Sequence, residues 1–347
     1  MAILRSEFNP IITPKDVKPS REGYEVIGAF NAAVTRHNGD VVLLIRVAER
    51  PININPDLAL VPIFNVEKNE LEILTLEKSN PDYDFSDSRD IKSKNGLLLT
   101  SISHLRLARS KDGVNFIIDE KPALFPANEY EAYGIEDSRI TFIDGRYYIN
   151  YGAISKYGLN VALASTTDFI NYERHGIMFC PDNKDVTIFP EKINGKYYAL
   201  HRPSISWFAK PEIWIAESND LLTWGNHKRI AGLLPDRWDS HRMGASAVPF
   251  KTEHGWIEIY HGVSNNVYAI GAMLLDEKEP WKVIARSQTP LMTPETDYET
   301  NGFWSKVIFP CGALFEDGIV KLYYGGADAY TAYAEIPLND ILKNLNL

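Results

Sequence analysis

The sequence predicts an all-β fold of the propeller type, on three observations. Short runs of Val, Ile, Tyr and Phe recur between Gly, Asp and Asn residues, which is the signature of strands joined by tight hairpins. Turn pairs such as Asn38-Gly39, Asp144-Gly145, Asn194-Gly195, His254-Gly255 and Asp317-Gly318 punctuate them. Four of these runs also share one shape, at residues 146–152, 196–202, 256–262 and 320–326. They recur roughly every fifty to sixty residues, a period expected of propeller blades. Finally, each is followed by another strand candidate, at 161–164, 213–216, 270–274 and 333–336. Adding 41–47 gives five units, so the expectation is a five-bladed β-propeller. A β-sandwich has short strands but no such long period.

Taken in order, the chain opens with a strand region at 30–46. A stretch over 51–95, rich in Asp, Asn, Lys and Pro, then reads as a long irregular insertion. Its acidic cluster at 80–90 lacks the spacing and closing glutamate of a calcium loop, so it reads as solvated. The repeating units follow, and residues 339–347 are expected to form a short helix packed on the outside. The whole of 1–347 is expected to be a single domain.

Composition narrows the function. Of 347 residues, 45% are hydrophobic and 24% charged, which is ordinary globular chemistry with ample core material. The aromatic share of 12%, including 18 Tyr and 7 Trp, suits strands and also platforms for sugar rings. A net charge of -10 argues against nucleic acid as a partner. The amino-terminal residues lack a secretory pattern, and no stretch is long and apolar enough for a membrane span. A cytoplasmic location is therefore expected. Two cysteines, Cys180 and Cys311, are too few for a disulfide framework and read as packed thiols. No Gly-x-Gly-x-x-Gly, Gly-x-Ser-x-Gly, His-x-x-x-His or Cys-x-x-Cys pattern occurs, so neither a nucleotide loop nor a catalytic metal is expected.

The chemistry concentrates in Tyr-Gly-Ile-Glu-Asp-Ser-Arg at 133–139, where Glu136 and Asp137 stand near Arg139. Successive side chains on a strand point to opposite faces, so only one of the two carboxylates is expected to face a given cavity. Polar residues also interrupt or end the repeated apolar runs: Arg46, His201 with Arg202, His261, and Asp328. Burying charge is costly unless it is paired or used. The same offset in several units therefore points to a central site for a polar, anionic or sugar ligand.

Residues 134–139, 184–203, 255–263 and 323–328, in that order, resemble glycoside hydrolase family 130. The resemblance implies a five-bladed propeller and inverting phosphorolysis of β-mannosides, releasing α-mannose 1-phosphate. It implies Asp137 as the proton donor, acting through the 3-hydroxyl of the bound mannose. Lys184, Arg202 and His261 would be the phosphate-binding cations, with Lys184 standing where arginine is common. Asn31, Arg46 and Asp328 would hold the mannose ring, with Arg139 a neighbour, and no cofactor or metal is implied beyond phosphate as co-substrate. An inverting displacement needs an acid and a nucleophile on opposite sides of the anomeric carbon. Phosphate is already an anion and needs cations rather than a base.

Ser138, where proline is frequent, and the stretch 239–246 depart from members acting on β-1,4 linkages. They bring the chain nearer to members acting on β-1,2-mannobiose and β-1,2-oligomannan, with His241 and Arg242 expected near the departing sugar. Three alternatives stand beside this: a β-1,4-mannooligosaccharide or mannosylglucose phosphorylase, an inverting β-mannosidase using Glu191 or Glu212, and a non-catalytic glycan-binding propeller. A homo-oligomer is compatible with all of them.

Overall fold

The computed structural model describes residues 3–204 and 210–347 and is all-β, with only short helical segments. Among the described residues the strands form five principal antiparallel sheets. The first holds Tyr24–His37, Asp40–Pro51, Ile102–Ser110 and Ile117–Ile118, in that spatial order. The second runs Gly134–Ile143, Arg146–Ser155, Gly158–Thr166 and Glu173–Phe179. The third runs Asn183–Ile188, Tyr197–Pro203, Ile213–Ser218 and Gly225–Ala231.

The fourth sheet is built on Arg242–Ala245, Gly255–Ser264, Val267–Leu275 and Val283–Arg286, with Phe250–Thr252 as a side branch. The fifth takes Ile308–Glu316, Ile319–Gly326 and Tyr330–Pro337 from the end of the chain and Leu4–Arg5 from its beginning.

Local sequence dictates these hairpins. The pairs Asn38-Gly39, Asp144-Gly145, Asn194-Gly195 and Asp317-Gly318 all have positive φ at both residues. Two such residues make the type I′ turn whose twist matches that of the flanking strands, and Asn or Asp followed by Gly adopts it at least cost.

Consecutive sheets pack in cyclic order, the fifth against the first, and each interface has its own apolar core. Leu44, Leu105 and Leu107 meet Ile135, Ile149 and Tyr151 between the first and second sheets. Val161 and Leu163 meet Val186 and Ile188 between the second and third. Leu200 and Ile215 meet Met243, Trp256 and Tyr260 next. Ile257, Ile259 and Leu274 then meet Leu322, Tyr324 and Ile336. Leu43 and Ile45 meet Tyr323 and Tyr333 where the order returns to the first sheet. The first strands of the sheets contact one another, so whatever projects from them converges on one place.

The stretch expected to be an irregular insertion over 51–95 is ordered as two small sheets. One is the hairpin Leu58–Asn65 with Glu70–Glu77, the other Tyr83–Asp84, Asp90–Ser93 and Gly96–Leu99. They share a minor core of Val61, Leu76 and Ile91, while most other side chains are exposed. Strands that bury so little have no need of apolar composition, which is why the stretch reads as a loop. The terminal helix spans Leu338–Asn344 and buries Ile341. Cys311 is buried, but Cys180 is exposed rather than packed. Among the described residues no helix is long and apolar enough to cross a membrane.

Candidate active site

The convergence of the first strands frames a cavity of about 750 Å³, within the usual range for a small-ligand site. Its wall includes Asn31, Arg46, Glu136, Asp137, Lys184, Asp185, Arg202, His241, Arg242, His261 and Asp328. Of the residues singled out from sequence, Arg139, His201, Glu191 and Glu212 are absent from this wall.

A repeated backbone device delivers three of these side chains. Asn31, Asp137 and Asp185 have φ near 50° (50°, 50° and 54°). Each sits in a register shift on the first strand of its sheet, between Phe30 and Ala33, Glu136 and Arg139, and Lys184 and Thr187. A bulge of this kind breaks the strict alternation of side chains and re-aims them. The expectation that only one of Glu136 and Asp137 faces the cavity fails for this reason: both line it.

Asp137 and Glu136 share Arg46. Arg46 Nη1 lies 3.1 Å from Asp137 Oδ1 and Nη2 lies 2.7 Å from Glu136 Oε2. Its Nε donates to Ser103 Oγ at 3.1 Å, and its Cζ lies 4.7 Å from the centre of the Phe30 ring. Asn31 Nδ2 donates a second hydrogen bond to Asp137 Oδ1 at 2.9 Å. Burial pushes the Asp137 pKa up, but Arg46, Lys184, Arg139 and the Asn31 hydrogen bond more than reverse it, leaving it below the usual carboxylate value. Asp328 goes the other way, because burial outweighs the pull of Arg46 and its carboxyl is pushed up to about 6.

Arg139 is buried behind the cavity. Its Nε donates to Ser246 O at 2.9 Å, and its two terminal nitrogens donate to Asp137 O at 2.9 Å and Ala245 O at 3.3 Å. Every one of these bonds goes to backbone, and it braces the bulge that carries Asp137, lying beside the site rather than on the main cavity wall.

The cation cluster forms across the third and fourth sheets. Lys184 and Arg202 are cross-strand partners, and both line the cavity. His201, adjacent to Arg202, faces the opposite side of its strand, stacked on Phe179 at 4.7 Å. His261 is fully buried, and that burial pushes its pKa down to about 3, so it enters the site as a neutral ring rather than as the expected cation. Arg202 Nη1 approaches its Nε2 at 3.3 Å, while Ser246 Oγ lies 3.0 Å from Nδ1. A guanidinium only donates, so this network assigns the ring proton to Nδ1. His241 and Arg242 stand exposed at the rim, with Arg242 donating to the Tyr268 hydroxyl at 2.7 Å.

Sequence reasoning missed Asp185. Its Oδ2 lies 3.0 Å from Arg202 Nη1 and 3.4 Å from His261 Nε2, and its Oδ1 lies 3.9 Å from Arg139 Nη2. Burial opposes its charge, yet Arg202, Lys184 and Arg139 hold it well below the usual carboxylate range. Only the register reveals its equivalence, since Lys184-Asp185 occupies in the third sheet the place that Glu136-Asp137 occupies in the second. The carboxylates considered for hydrolysis lie elsewhere. Glu191 pairs with Lys251 on the surface and Glu212 pairs with Arg229, and neither lines the cavity.

The site can thus hold an anion and a polyhydroxylated ring side by side, with an acidic and a cationic flank. The model of glycoside hydrolase family 130, described as beta-1,4-mannooligosaccharide phosphorylase, matches residues 99–347. The chain is 49% identical over 352 residues to a beta-1,2-mannobiose phosphorylase of Listeria innocua serovar 6a, covering 100% of this chain and 99% of that protein. It is 43% identical over 244 residues to a 1,2-beta-oligomannan phosphorylase of Thermoanaerobacter sp. strain X514, covering 69% and 80% respectively. A solved complex of the Listeria innocua beta-1,2-mannobiose phosphorylase with beta-1,2-mannobiose superposes with a TM-score of 0.97, at 49% identity over 100% of this chain and 99% of that one. With a family model matching most of its length and a relative this similar from end to end, the chain belongs to glycoside hydrolase family 130.

Proposed function

We propose that this protein is a glycosyl-transferring phosphorylase that cleaves β-mannosides by inverting phosphorolysis, with β-1,2-mannobiose as its substrate. The five sheets are read as the blades of a five-bladed propeller whose axis passes through the cavity. The observation that carries the reading is the pairing, in one cavity, of a carboxylate flank built on Asp137 with an anion-binding flank built on Lys184 and Arg202. The end-to-end similarity to a β-1,2-mannobiose phosphorylase supports the β-1,2 linkage over the β-1,4 linkage in the family model's description.

In this reading mannose lies against Asn31, Arg46 and Asp328, and phosphate lies among Lys184, Arg202 and His261. A phosphate oxygen attacks the anomeric carbon from the α face while the β-glycosidic C–O bond breaks. The departing oxygen takes a proton that originates on Asp137 and passes through the sugar's 3-hydroxyl. His241 and Arg242 flank the departing mannose. Asp137 is ionised in the unliganded site, so its protonation is coupled to substrate binding. Phosphate beside Lys184 offsets the cations that hold the carboxyl low, and a nearby negative charge raises a carboxyl pKa. Phosphate is the co-substrate and no cofactor takes part. A cytoplasmic setting, where phosphate is plentiful and a sugar phosphate is retained, fits this chemistry.

The test is product analysis on β-1,2-mannobiose, with a β-1,4-mannobiose control, with and without inorganic phosphate. Mannose 1-phosphate formed only when phosphate is present, and faster from the β-1,2 substrate, is the expected result. Free mannose formed equally well without phosphate would replace this reading with hydrolysis.

A further inference from the structure

Asp185 stands in the anion-binding flank, where a fixed negative charge is at first sight out of place. Its side chain is 1% exposed, lines the cavity and lies within ion-pair distance of Arg202. Yet among the described residues neither Oδ1 nor Oδ2 receives a hydrogen bond of good geometry. An ionised carboxylate has room for about four donors, and a buried acceptor left without any is costly. Its position is also held from outside. A Cβ added at Gly244 would come within 2.2 Å of Asp185 Oδ2 and 2.6 Å of His261 Cε1, so glycine there lets the fourth sheet press close against this carboxylate. The bulge at φ 54° fixes it from its own strand.

A carboxylate that only accepts hydrogen bonds, set beside cations that bind anions, sorts anions by whether they carry a proton. Inorganic phosphate keeps at least one O–H at neutral pH and can donate it to such an acceptor. Sulfate keeps none and meets the carboxylate with bare oxygens, at a cost in like-charge repulsion and an unmet acceptor. We infer that Asp185 is the residue that makes this anion site selective for phosphate over sulfate, by accepting a hydrogen bond from the phosphate O–H. The same contact turns the protonated oxygen toward Asp185 and leaves unprotonated oxygens free to face the anomeric carbon. Arsenate, protonated like phosphate, should pass the same filter. The inference rests on the phosphorolytic reading above and adds to it the basis of anion choice.

The test measures mannose release from β-1,2-mannobiose at fixed phosphate, with sulfate as competitor and arsenate as substitute, in the wild type and in Asp185→Asn. Sites that reject an analogue for a missing hydrogen-bond donor reach discriminations of 10⁴ or more, so for a single such contact sulfate should inhibit about a hundredfold more weakly than phosphate binds. An amide can donate to a bare oxygen. In Asp185→Asn the two affinities should therefore converge to within about threefold, mainly through tighter sulfate binding.

Titration calorimetry of phosphate and of sulfate against the wild-type protein gives the same ratio without a variant, so a misfolded Asp185→Asn does not end the test. Sulfate competing on equal terms with phosphate in the wild type would overturn the inference, as would an unchanged ratio in a folded Asp185→Asn. Absence of any phosphate-dependent product in the wild type is a different result and would overturn the phosphorylase reading itself.

Discussion

The bulge of the second sheet and the bulge of the third use one backbone device for opposite ends. Each turns an aspartate into the cavity at φ near 50° from a first strand. Asp137 arrives among Arg46, Asn31 and a second carboxylate, Glu136, with Asp328 on the same wall. Asp185 arrives against Arg202 and His261. Position within the fold is therefore equivalent, and the partners on neighbouring strands decide what each carboxylate can do. One flank is fitted to moving a proton next to a neutral sugar, the other to holding an anion. Arg139 ties them together, donating to the carbonyl of Asp137 while lying 3.9 Å from Asp185.

Substitutions on the two flanks should separate cleanly if this division is right. The largest effect is expected for Asp137→Asn, which should lower kcat by the upper part of the roughly 10²–10⁴-fold range typical of a lost general acid. Phosphate affinity should hold or tighten modestly, since the lost negative charge lies near Lys184, as read by calorimetry on the folded variant. Normal turnover there would remove Asp137 from the acid role.

Arg139→Ala comes next and should blur the division. It strands three backbone carbonyls and one side of Asp185, and breaking a buried charged network of this kind costs about 3–5 kcal/mol. Chemical denaturation should register that loss, with activity falling for both flanks together. A variant of wild-type stability would show that Arg139 is not the brace described here.

Arg202→Ala should act on one flank alone. Truncating one partner of a buried charge pair costs 2 kcal/mol or more, about thirtyfold or greater in kcat/KM for phosphate, and mannobiose affinity should be nearly untouched. Equal losses for both substrates would break the comparison.

The smallest effect concerns pH. Burial raises Asp328 from 3.8 to about 6, so the folded protein retains a proton there that the unfolded chain has already released. That proton contributes stability below about pH 4, and the contribution is lost as pH rises through about 6. Asp328→Asn should flatten this part of the stability profile of the unliganded protein, which urea unfolding on either side of the window would measure.

Much of this was legible in the sequence, because the hairpins carry their own instructions. Asn38-Gly39 or Asp317-Gly318 between apolar runs has few alternatives to a tight turn, and the recurrence of one strand shape marked four of the five sheets. Arg46, Arg202 and Asp328 stood out because a charge inside an apolar run has to be used or paired. The two small sheets over 58–99 did not stand out, since strands with little to bury look like loops. Glu136 and Asp185 were hidden for a different reason. Alternation assumes a regular strand, and a bulge is a local exception produced by pairing with a strand that the sequence does not name. The bracing role of Arg139 was out of reach because proximity in sequence to Asp137 says nothing about which side of the strand a long side chain takes. The neutrality of His261 was equally out of reach, being a property of the packing around it.

The antiparallel pairing of Leu4 with Glu335 and Arg5 with Ala334 has a consequence for biosynthesis. Closing a contact between such distant points requires the intervening chain to be ordered first, and topologies rich in such contacts fold slowly. The fifth sheet cannot be completed until its last strand has left the ribosome, so the early sheets wait with an unsealed flank. A fusion at the carboxyl side would lengthen that wait only slightly. A bulky fusion set directly before Leu4 would obstruct the closure itself, and a circular permutation that joins the two ends would turn one of the most sequence-distant contacts into one of the most local.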